Sequence, residues 1–542
     1  MKINKILSIF MVGIALFTTS CSDFLDQDPE SKLSEDKIFS NVNTTNAYVL
    51  GLYNSWRNGH KGRVDTYLGT DEAVVGGFQY DDIDRRGLDT YSEGMNSTNG
   101  RIRGIWTNRY EVISRAAPAI SNLKKRQDSG NDELNRLLGE ACFLRAQNNW
   151  ELAMLFGPIP LIDHNNLDFG GFRQPLNVVF ANIEEDLLIA ERYLPEPGEV
   201  ANPGRVSKAL AQAFLGKLYL YAPESSGYRD YAKAAEHFKK VVDNPYFGGT
   251  GATNFPIIFD AYSENSADYR KEMVYAFQYN VGSPNNSATQ WELGSRAVAN
   301  MTPDLGEAMA PWSGFDGMMP SKYCYKPTSE GGVWEEGDVR KNESVRYDFR
   351  WSKYTPNLNG YAWGDELEPH IKKYEDPRTV DKGLSTYHSG KSIPFVRFAD
   401  VVLCYAECLY MTGKQAEGIN LINNVVRKRA FGGTLPADKA WSTGMGKEEF
   451  ITKLMDERMR ELCFEGWRKF DLLRTGLVKQ YAEKRNRWLV GGTFTNSFGD
   501  TKELGAPKTI QEYKLLWPIP LDELRQNPDL TESDQNPGYT TN

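Results

Sequence analysis

Helical periodicity is the feature of this sequence that most restricts its fold. Apolar residues recur at positions i, i+3, i+4 and i+7 in three separate segments, as one face of an α-helix requires. The three sets are Leu134, Leu137, Leu138 and Ala141; Val206, Ala209, Leu210 and Ala213; and Tyr231, Ala234, Ala235 and Phe238. From Val401 to Leu409 nearly every residue is apolar, which predicts a helix buried on several sides. We therefore expect a mainly α-helical protein.

One pair of segments carries the pattern of a tetratricopeptide repeat. Leu215-Gly216-x-x-Tyr219 is followed by Ala234-x-x-x-Phe238 and then by Pro245, which is the order of small and aromatic residues in that unit. Small residues let two helices approach closely, and aromatic rings fill the groove between them. Because one such unit cannot bury its apolar faces alone, we expect the helical segments 134–156 and 397–426 to pack beside it.

Two long stretches, about 51–105 and 248–395, show little of this periodicity and are rich in Gly, Asn, Ser, Pro and aromatic residues. Their tryptophans are Trp56, Trp291, Trp312, Trp334, Trp351 and Trp363. Loops of this length inside a compact chain are usually functional. The sequence therefore predicts a scaffold of tetratricopeptide-like helix pairs that carries long, irregular, aromatic-rich loops.

Charge and composition restrict the class of partner. Of 542 residues, 63 are Lys or Arg and 72 are Asp or Glu, which gives a formal net charge of −9. Nucleic acid is not expected to bind, because phosphate recognition needs a basic stripe. The richest basic run, Arg427-Lys428-Arg429, is expected to form a solvated helix face.

The first twenty residues have the features of a secretory signal. Lys2 and Lys5 precede an apolar run that is too short to span a bilayer, and small residues lead to Cys21. This junction resembles a bacterial lipobox, in which the cysteine is lipidated and becomes the new N-terminus. We therefore predict a signal peptide over 1–20 and a lipid anchor on Cys21, with no helix crossing the membrane.

Five blocks, in order along the chain, resemble the SusD/RagB family. They are Cys21-x-Asp-Phe-Leu-Asp; Phe143-Leu-Arg-Ala with Phe156-Gly-Pro-Ile-Pro-Leu; Arg397-x-Ala-Asp with Ala406-Glu407; Glu457-Arg-x-x-Glu-Leu-x-x-Glu-Gly-x-Arg-x-Phe-Asp-Leu-x-Arg474; and Trp517-Pro-Ile-Pro through Gly538-Tyr539. The chain departs from the family at Ala117, where Asn is common, and Pro118 follows it. Proline kinks or breaks helices, so the local helix path is expected to differ.

The resemblance implies a SusD-like fold over 21–542, with an N-terminal part of about 21–225 and a C-terminal part of about 260–542. It also implies a surface-facing outer-membrane lipoprotein with a partner, a SusC-like TonB-dependent barrel. The lipoprotein would capture an oligosaccharide or a peptide and deliver it to that barrel. The charged residues of 457–474 are then expected to tie helices together and not to contact ligand.

No pattern in the sequence indicates catalysis, a metal or a cofactor. The five histidines lack metal-ligand spacing, and neither a nucleophile elbow nor a phosphate-binding glycine loop is present. Cys404 and Cys408 share a helix face and are interpreted as buried thiols. The acidic run Asp81, Asp82 and Asp84 lacks the spaced glycine and distal glutamate of a calcium loop, so a solvated loop is expected.

Saccharide capture needs aromatic rings that stack on sugar faces and a few placed polar groups that bind hydroxyls. The irregular stretches supply both, and the predicted ligand-binding residues are Tyr80, Arg85, Tyr91, Asn96, Asn99, Trp291, Trp312, Tyr323 and Trp334. The alternatives are a peptide receptor like the RagB branch, a scaffold lipoprotein that binds only proteins, and a degradative enzyme. The aromatic-rich loops favour the saccharide.

Overall fold

A computed structural model describes residues 35–76, 79, 81–127, 130–163, 171–282, 286–294, 314–315, 317–346, 369–382, 389–495 and 501–541. The predicted signal peptide, Cys21, Tyr80 and Trp312 lie outside these residues. No helix within them is long and apolar enough to cross a membrane.

The first half of the described chain is helical. Its helices are α1 (Glu35–Phe39), α2 (Val42–His60), α3 (Ile83–Thr90), α4 (Gly100–Lys124), α5 (Asp132–Phe156), α6 (Leu176–Tyr193), α7 (Lys208–Tyr221) and α8 (Tyr231–Val242). Polar residues begin several of them: the side chains of Asn99, Asn131, Ser207 and Asp230 accept hydrogen bonds from free backbone N–H groups in the first turns of α4, α5, α7 and α8.

The second half begins with short elements and ends with longer helices. The short ones are α9 (Pro256–Phe259), α10 (Ala267–Glu272), α11 (Thr289–Leu293), α12 (Lys322–Tyr325), α13 (Arg340–Ser344) and α14 (Arg378–Asp381). After them come α15 (Phe398–Met411), α16 (Gln415–Leu421), a π-helical turn (Ile422–Arg427), α17 (Lys428–Ala430), α18 (Lys447–Leu462), α19 (Arg468–Thr475), α20 (Val478–Arg485), α21 (Arg487–Val490) and α22 (Leu521–Gln526).

The strands are short and form two-stranded antiparallel sheets. The pairs are β1 (Ala73–Val75) with β5 (Met318–Pro320), β2 (Ile159–Pro160) with β3 (Arg173–Gln174), β4 (Met273–Phe277) with β8 (Ile393–Arg397), β6 (Val345–Arg346) with β7 (His370–Ile371), and β9 (Gly492–Thr495) with β10 (Thr501–Gly505). The β4–β8 pair fixes the irregular segment to the start of α15, which follows β8 directly.

The long helices stack in a row, as the periodicity predicted. Neighbours in space are α4 with α5, α5 with α6, α6 with α7, α7 with α8, and α8 with α15. The predicted partner segment 397–426 therefore does pack on the repeat unit, at α8. The segment 134–156 also packs on the unit, because the rings of Phe143 and Trp150 in α5 lie 5.3 and 6.0 Å from the ring of Phe214 in α7. After α8 the chain leaves the row of helices and forms the irregular segment 248–395. It returns to the row at α15.

Gly216 explains why α7 and α8 can pack so closely. A β-carbon built at this position would lie 2.6 Å from ring atoms of Phe238. Real β-carbons do not approach other atoms so closely, so any larger residue would push α8 away. The prediction that a small residue faces an aromatic ring across this helix pair is confirmed.

A network of buried ion pairs ties the second half together. The carboxylate of Glu461 accepts hydrogen bonds from Arg397 and Arg429, both at 2.6 Å, and from Arg340 at 3.0 Å. Burial alone would raise the pKa of Glu461, but the guanidinium groups of Arg429, Arg397 and Arg340 together hold it below its ordinary value. The prediction that the charged residues of 457–474 join helices is confirmed.

The structure corrects two predictions about charges. Arg427 and Arg429 were expected on a solvated face, but both are buried and ion-paired, and only Lys428 of that run is exposed. The i, i+4 spacing of Glu465 and Lys469 in the sequence predicts a helical ion pair, but the two side chains do not pair. Non-helical residues separate α18 from α19, so Glu465 pairs with Arg397 and Lys373 instead.

Two predictions about local path are also corrected. Residues 51–60 were assigned to an irregular stretch, yet they belong to α2, and Trp56 is a core residue of that helix. Pro118 was expected to alter its helix, but α4 continues through it to Lys124. Packing outweighs the local signals, because Trp56 belongs to the main core and Pro118 is buried in α4 next to the core residue Ala119.

Candidate ligand-binding site

The backbone brings two aromatic residues of the irregular segment together. The N–H of Phe315 donates to the carbonyl of Trp291 at 2.6 Å, and the N–H of Gly317 donates to the carbonyl of Glu292 at 3.0 Å. Strand β5 follows Gly317 directly and pairs with β1. The chain around Phe315 is therefore fixed between α11 and the β1–β5 sheet.

Trp291 and Phe315 form a stacked pair. Their ring centroids lie 4.4 Å apart, with 26° between the ring planes. Both side chains are half-buried, so part of this aromatic surface faces solvent. Of the predicted aromatic residues that the structure describes, Trp291 is the one in such a pair, and its partner Phe315 was missed.

Arg85, also predicted, lies beside this pair. Its guanidinium group pairs with Glu292 and lies 5.7 Å from the centre of the Phe315 ring. Arg85 is only 2% exposed, whereas the side chain of Glu292 is 20% exposed. Glu292 is thus the more exposed member of the pair, and Arg85 contacts it from a buried position.

Polar atoms with no partner lie beneath this ion pair. Asp65 Oδ1 is 3.7 Å from Arg85 Nε, too far for a hydrogen bond. That oxygen and both Nε and Nη1 of Arg85 have no hydrogen-bond partner among the described residues. Burial raises the pKa of Asp65, although Arg85 and Arg101 act against this. The site therefore keeps spare hydrogen-bonding capacity.

Glycine allows the ion pair to approach the backbone. A β-carbon at Gly317 would lie 2.6 Å from both Arg85 Nη1 and Glu292 Oε1. A side chain at position 317 would therefore displace the charged pair from the aromatic pair. We call the four residues Arg85, Trp291, Glu292 and Phe315 the aromatic–acid site.

The predicted acidic loop holds the neighbouring backbone. Asp82 caps α3 by accepting from the N–H groups of Asp84 and Arg85, and it pairs with Arg101 at 3.0 Å. Asp84 accepts from the N–H of Gly100 at 2.8 Å. Within the described ranges, no group of His, Cys, Asp or Glu has an arrangement that could hold a metal ion.

Four predicted ligand-binding residues have partners that give them structural roles. The indole of Trp334 is 1% exposed and donates to the carbonyl of Cys324 at 2.5 Å. The buried Tyr91 hydroxyl donates to the Gly69 carbonyl and accepts from Lys469 Nζ. Asn99 caps α4 from a buried position, and Asn96, which stays half-buried, closes a turn through Thr98.

Tyr323 lies in a pocket with a volume of about 640 Å³, whose lining includes no residue of the aromatic–acid site. Its hydroxyl donates to Asp456 at 2.7 Å, and its ring lies 3.9 Å from the guanidinium carbon of Arg485. Another pocket, of about 590 Å³, lies at α7, α15, α18 and α19, where Arg474 and Glu407 already bind each other. Ligand contact by the nine predicted residues stays a prediction.

These features define a helical-repeat scaffold protein that carries an aromatic pair beside an ion pair. The comparisons with known proteins agree with this. Residues 249–539, more than half of the chain, match the model of the SusD family, and residues 23–220 match a model described as "starch-binding associating with outer membrane". The chain belongs to the SusD family.

Relatives resemble the chain over most of its length. SusD-like protein P2 of Formosa agariphila is 27% identical over 548 residues, covering 98% of this chain and 99% of that one. The starch-binding protein SusD of Bacteroides thetaiotaomicron is 25% identical over 445 residues, or 75% of this chain and 73% of that one. A solved SusD homologue from Bacteroides thetaiotaomicron has a TM-score of 0.73 at 20% identity, covering 93% of this chain and 98% of that one. The mainly helical SusD-like fold is confirmed.

Proposed function

We propose that this protein is a surface-facing outer-membrane lipoprotein, anchored through Cys21, that captures an oligosaccharide. It delivers that ligand to a SusC-like TonB-dependent transporter and carries out no covalent chemistry. The observation that carries the capture step is the stacked pair of Trp291 and Phe315 beside the ion pair of Arg85 and Glu292.

The aromatic–acid site has the two chemical features that saccharides need. Sugar rings have apolar C–H faces, which pack against aromatic rings, and they carry hydroxyl groups at their edges. The half-buried rings of Trp291 and Phe315 supply the first surface, and the Glu292 carboxylate accepts hydrogen bonds from hydroxyls. Because Arg85 fixes Glu292 from a buried position, little side-chain entropy would be lost on binding.

The relatives support both the ligand class and the location. One of them is named a starch-binding protein, and the family model over 23–220 is described as starch-binding and associating with the outer membrane. The predicted anchor at Cys21 accounts for such an association without a membrane-spanning helix. The transporter partner and the surface-facing orientation come from the family resemblance.

The geometry at the aromatic–acid site favours binding over hydrolysis. A glycoside hydrolase needs two carboxylates across the scissile bond, one of them free to donate a proton. Here Glu292 is paired with Arg85, and Asp65 is buried beneath that pair. The stacked rings also favour a saccharide over a peptide, whose recognition would rest on backbone hydrogen bonds.

Trp291→Ala tests this proposal. We expect calorimetry on soluble protein from Ser22 onwards to show binding of at least one neutral oligosaccharide from a panel that includes starch- and laminarin-type probes. The variant should bind the same probe about tenfold more weakly or worse, since a stacked aromatic anchor contributes on the order of 1–2 kcal/mol. The probe should be recovered intact after incubation.

Phe172→Ala is the matched control, because Phe172 is an aromatic residue that is 64% exposed and lies outside the site. This variant should keep the affinity of the unaltered protein, and both variants should keep its melting temperature. Equal affinity of the Trp291→Ala variant, or chemical cleavage of the probe, would contradict the proposal.

A further inference from the structure

The pocket around Tyr323 has an unusual charge for an acidic protein. It lies between α12 and the chain that follows it on one side, and α20, α21 and the β9–β10 hairpin on the other. Five of its lining residues are basic: Lys322, Lys326, Lys484, Arg485 and Arg487. The lining contains one acidic residue, Glu330, although the whole chain carries a net charge of −9.

The ion pairs among the described residues neutralise part of this positive charge. Lys326 pairs with Glu330 at 2.8 Å, and Arg485 is 3.1 Å from both Asp71 and Asp456. The ammonium groups of Lys322 and Lys484 are on exposed residues and form no ion pair with any residue in the described part of the chain. At least two positive charges are therefore available to a ligand in the pocket.

The pKa of Glu330 is affected by the same group of positive charges. Its pKa is lowered because Lys326 donates a hydrogen bond to it, and because Lys341 and Lys322 lie nearby. A carboxylate at this edge of the pocket is thus favoured in its charged form by several lysines at once. A carboxylate or sulfate brought in by a ligand would meet the same groups.

The wall of the pocket is rigid and partly aromatic. The guanidinium carbon of Arg485 lies 3.9 Å from the ring centres of both Tyr323 and Tyr481, so it is held between two rings. Tyr323 is fixed further by its hydrogen bond to Asp456. Tyr323 and Tyr325 are half-buried and leave ring surface at the pocket.

We propose that this pocket is a second ligand site, which takes an acidic saccharide through a carboxylate or sulfate group. Lys322 and Lys484 bind the anionic group, while Tyr323 and Tyr325 contact the sugar ring. The volume of about 640 Å³ is within the range of small-molecule sites. The inference rests on the proposed function, since it assumes that saccharide is the natural ligand class. It extends that function to charged glycans, held away from the aromatic–acid site.

The test uses the double variant Lys322→Gln/Lys484→Gln in the soluble protein. The acidic probes are tetragalacturonate and a heparin-derived tetrasaccharide, and the neutral probe is the one that binds best in the panel. We expect at least one of the acidic probes to bind. Its affinity should fall as the salt concentration is raised. The double variant should bind the acidic probe about tenfold more weakly, because two charge-assisted contacts are removed. Its affinity for the neutral probe should be unchanged.

Lys428→Gln is the matched control, because Lys428 is an exposed lysine outside the pocket. It should change neither affinity. Unchanged acidic-probe affinity in the double variant, or no binding of either acidic probe to the unaltered protein, would overturn the inference. Stronger binding of inorganic phosphate than of the acidic saccharides would overturn it as well.

The outcomes separate this inference from the proposed function. If Trp291→Ala weakens the neutral probe while the double variant leaves the acidic probe unaffected, the second site is excluded and the first stands. If the double variant weakens the acidic probe while Trp291→Ala leaves the neutral probe unaffected, the inference is supported and the proposed site is not.

Discussion

At the residue scale, the most charged of the sequence blocks that resemble the family, Glu457 to Arg474, consists largely of buried charges. Glu461 illustrates this, because its carboxylate is shared by three guanidinium groups and its side chain has no exposed surface. Taking such charges out of water is costly unless every one of them is paired. Loss of a single partner should therefore disturb the whole network.

Glu461→Gln tests this role. The substitution keeps the shape of the side chain but leaves Arg397, Arg429 and Arg340 with one negative charge fewer. We expect the free energy of unfolding to fall by about 3–5 kcal/mol, as when a buried ion pair loses one partner. Chemical denaturation followed by circular dichroism measures this change.

Glu449→Gln on the same helix is the control. Glu449 pairs with Lys453 at 3.0 Å, but its side chain is 54% exposed, so the change should be within about 0.5 kcal/mol. Similar losses for the two variants would mean that the buried network contributes little to stability.

Residue type alone could not locate the candidate site. Trp291 and Trp334 belong to the same aromatic-rich stretch, yet one is half-buried beside Phe315 and the other is a core residue. The difference is made by backbone hydrogen bonds between segments that are distant in sequence. Phe315 was missed for the same reason, although it stands among glycines that permit close packing.

At the element scale, the helix pair α7–α8 was predictable because its determinants are local. The helical periodicity of the apolar residues predicted both helices. The repeat pattern predicted the contact of Gly216 with Phe238. The irregular segments were not predictable, because their strands pair across long sequence separations, as β1 does with β5. Short strands of two to five residues carry too little pattern to be recognised.

Gly216→Ala tests the close approach of this pair. A methyl group at this position would collide with the Phe238 ring, so we expect a loss of about 1–3 kcal/mol of stability. Combining it with Phe238→Leu should cost less than the sum of the two single changes, because the smaller side chain makes room.

Gly104→Ala in α4 is the matched control. A β-carbon there meets nothing within 4 Å, so alanine should be neutral or stabilise the helix by up to about 1 kcal/mol. If Gly216→Ala were as harmless as Gly104→Ala, the helices would not be held as closely as the structure shows.

At the scale of the whole molecule, one continuous row of helices supports both the aromatic–acid site and the pocket around Tyr323. Helix α15 packs on α8 although the irregular segment lies between them in sequence. That segment can therefore carry binding residues without interrupting the scaffold. The row itself was expected from the sequence, whereas the place of each loop on it depends on contacts that no local pattern encodes.

Delivery to an importer is the central claim at this scale, and co-purification tests it most directly. Tagged full-length protein is extracted from native outer membranes in mild detergent, and its partners are identified by mass spectrometry. A tagged outer-membrane lipoprotein from another family, with its own known partner, serves as the control. We predict that a large TonB-dependent barrel co-purifies with this protein in near-equal amount. If no such barrel appears while the control retains its partner, the claim that this protein serves an importer is contradicted.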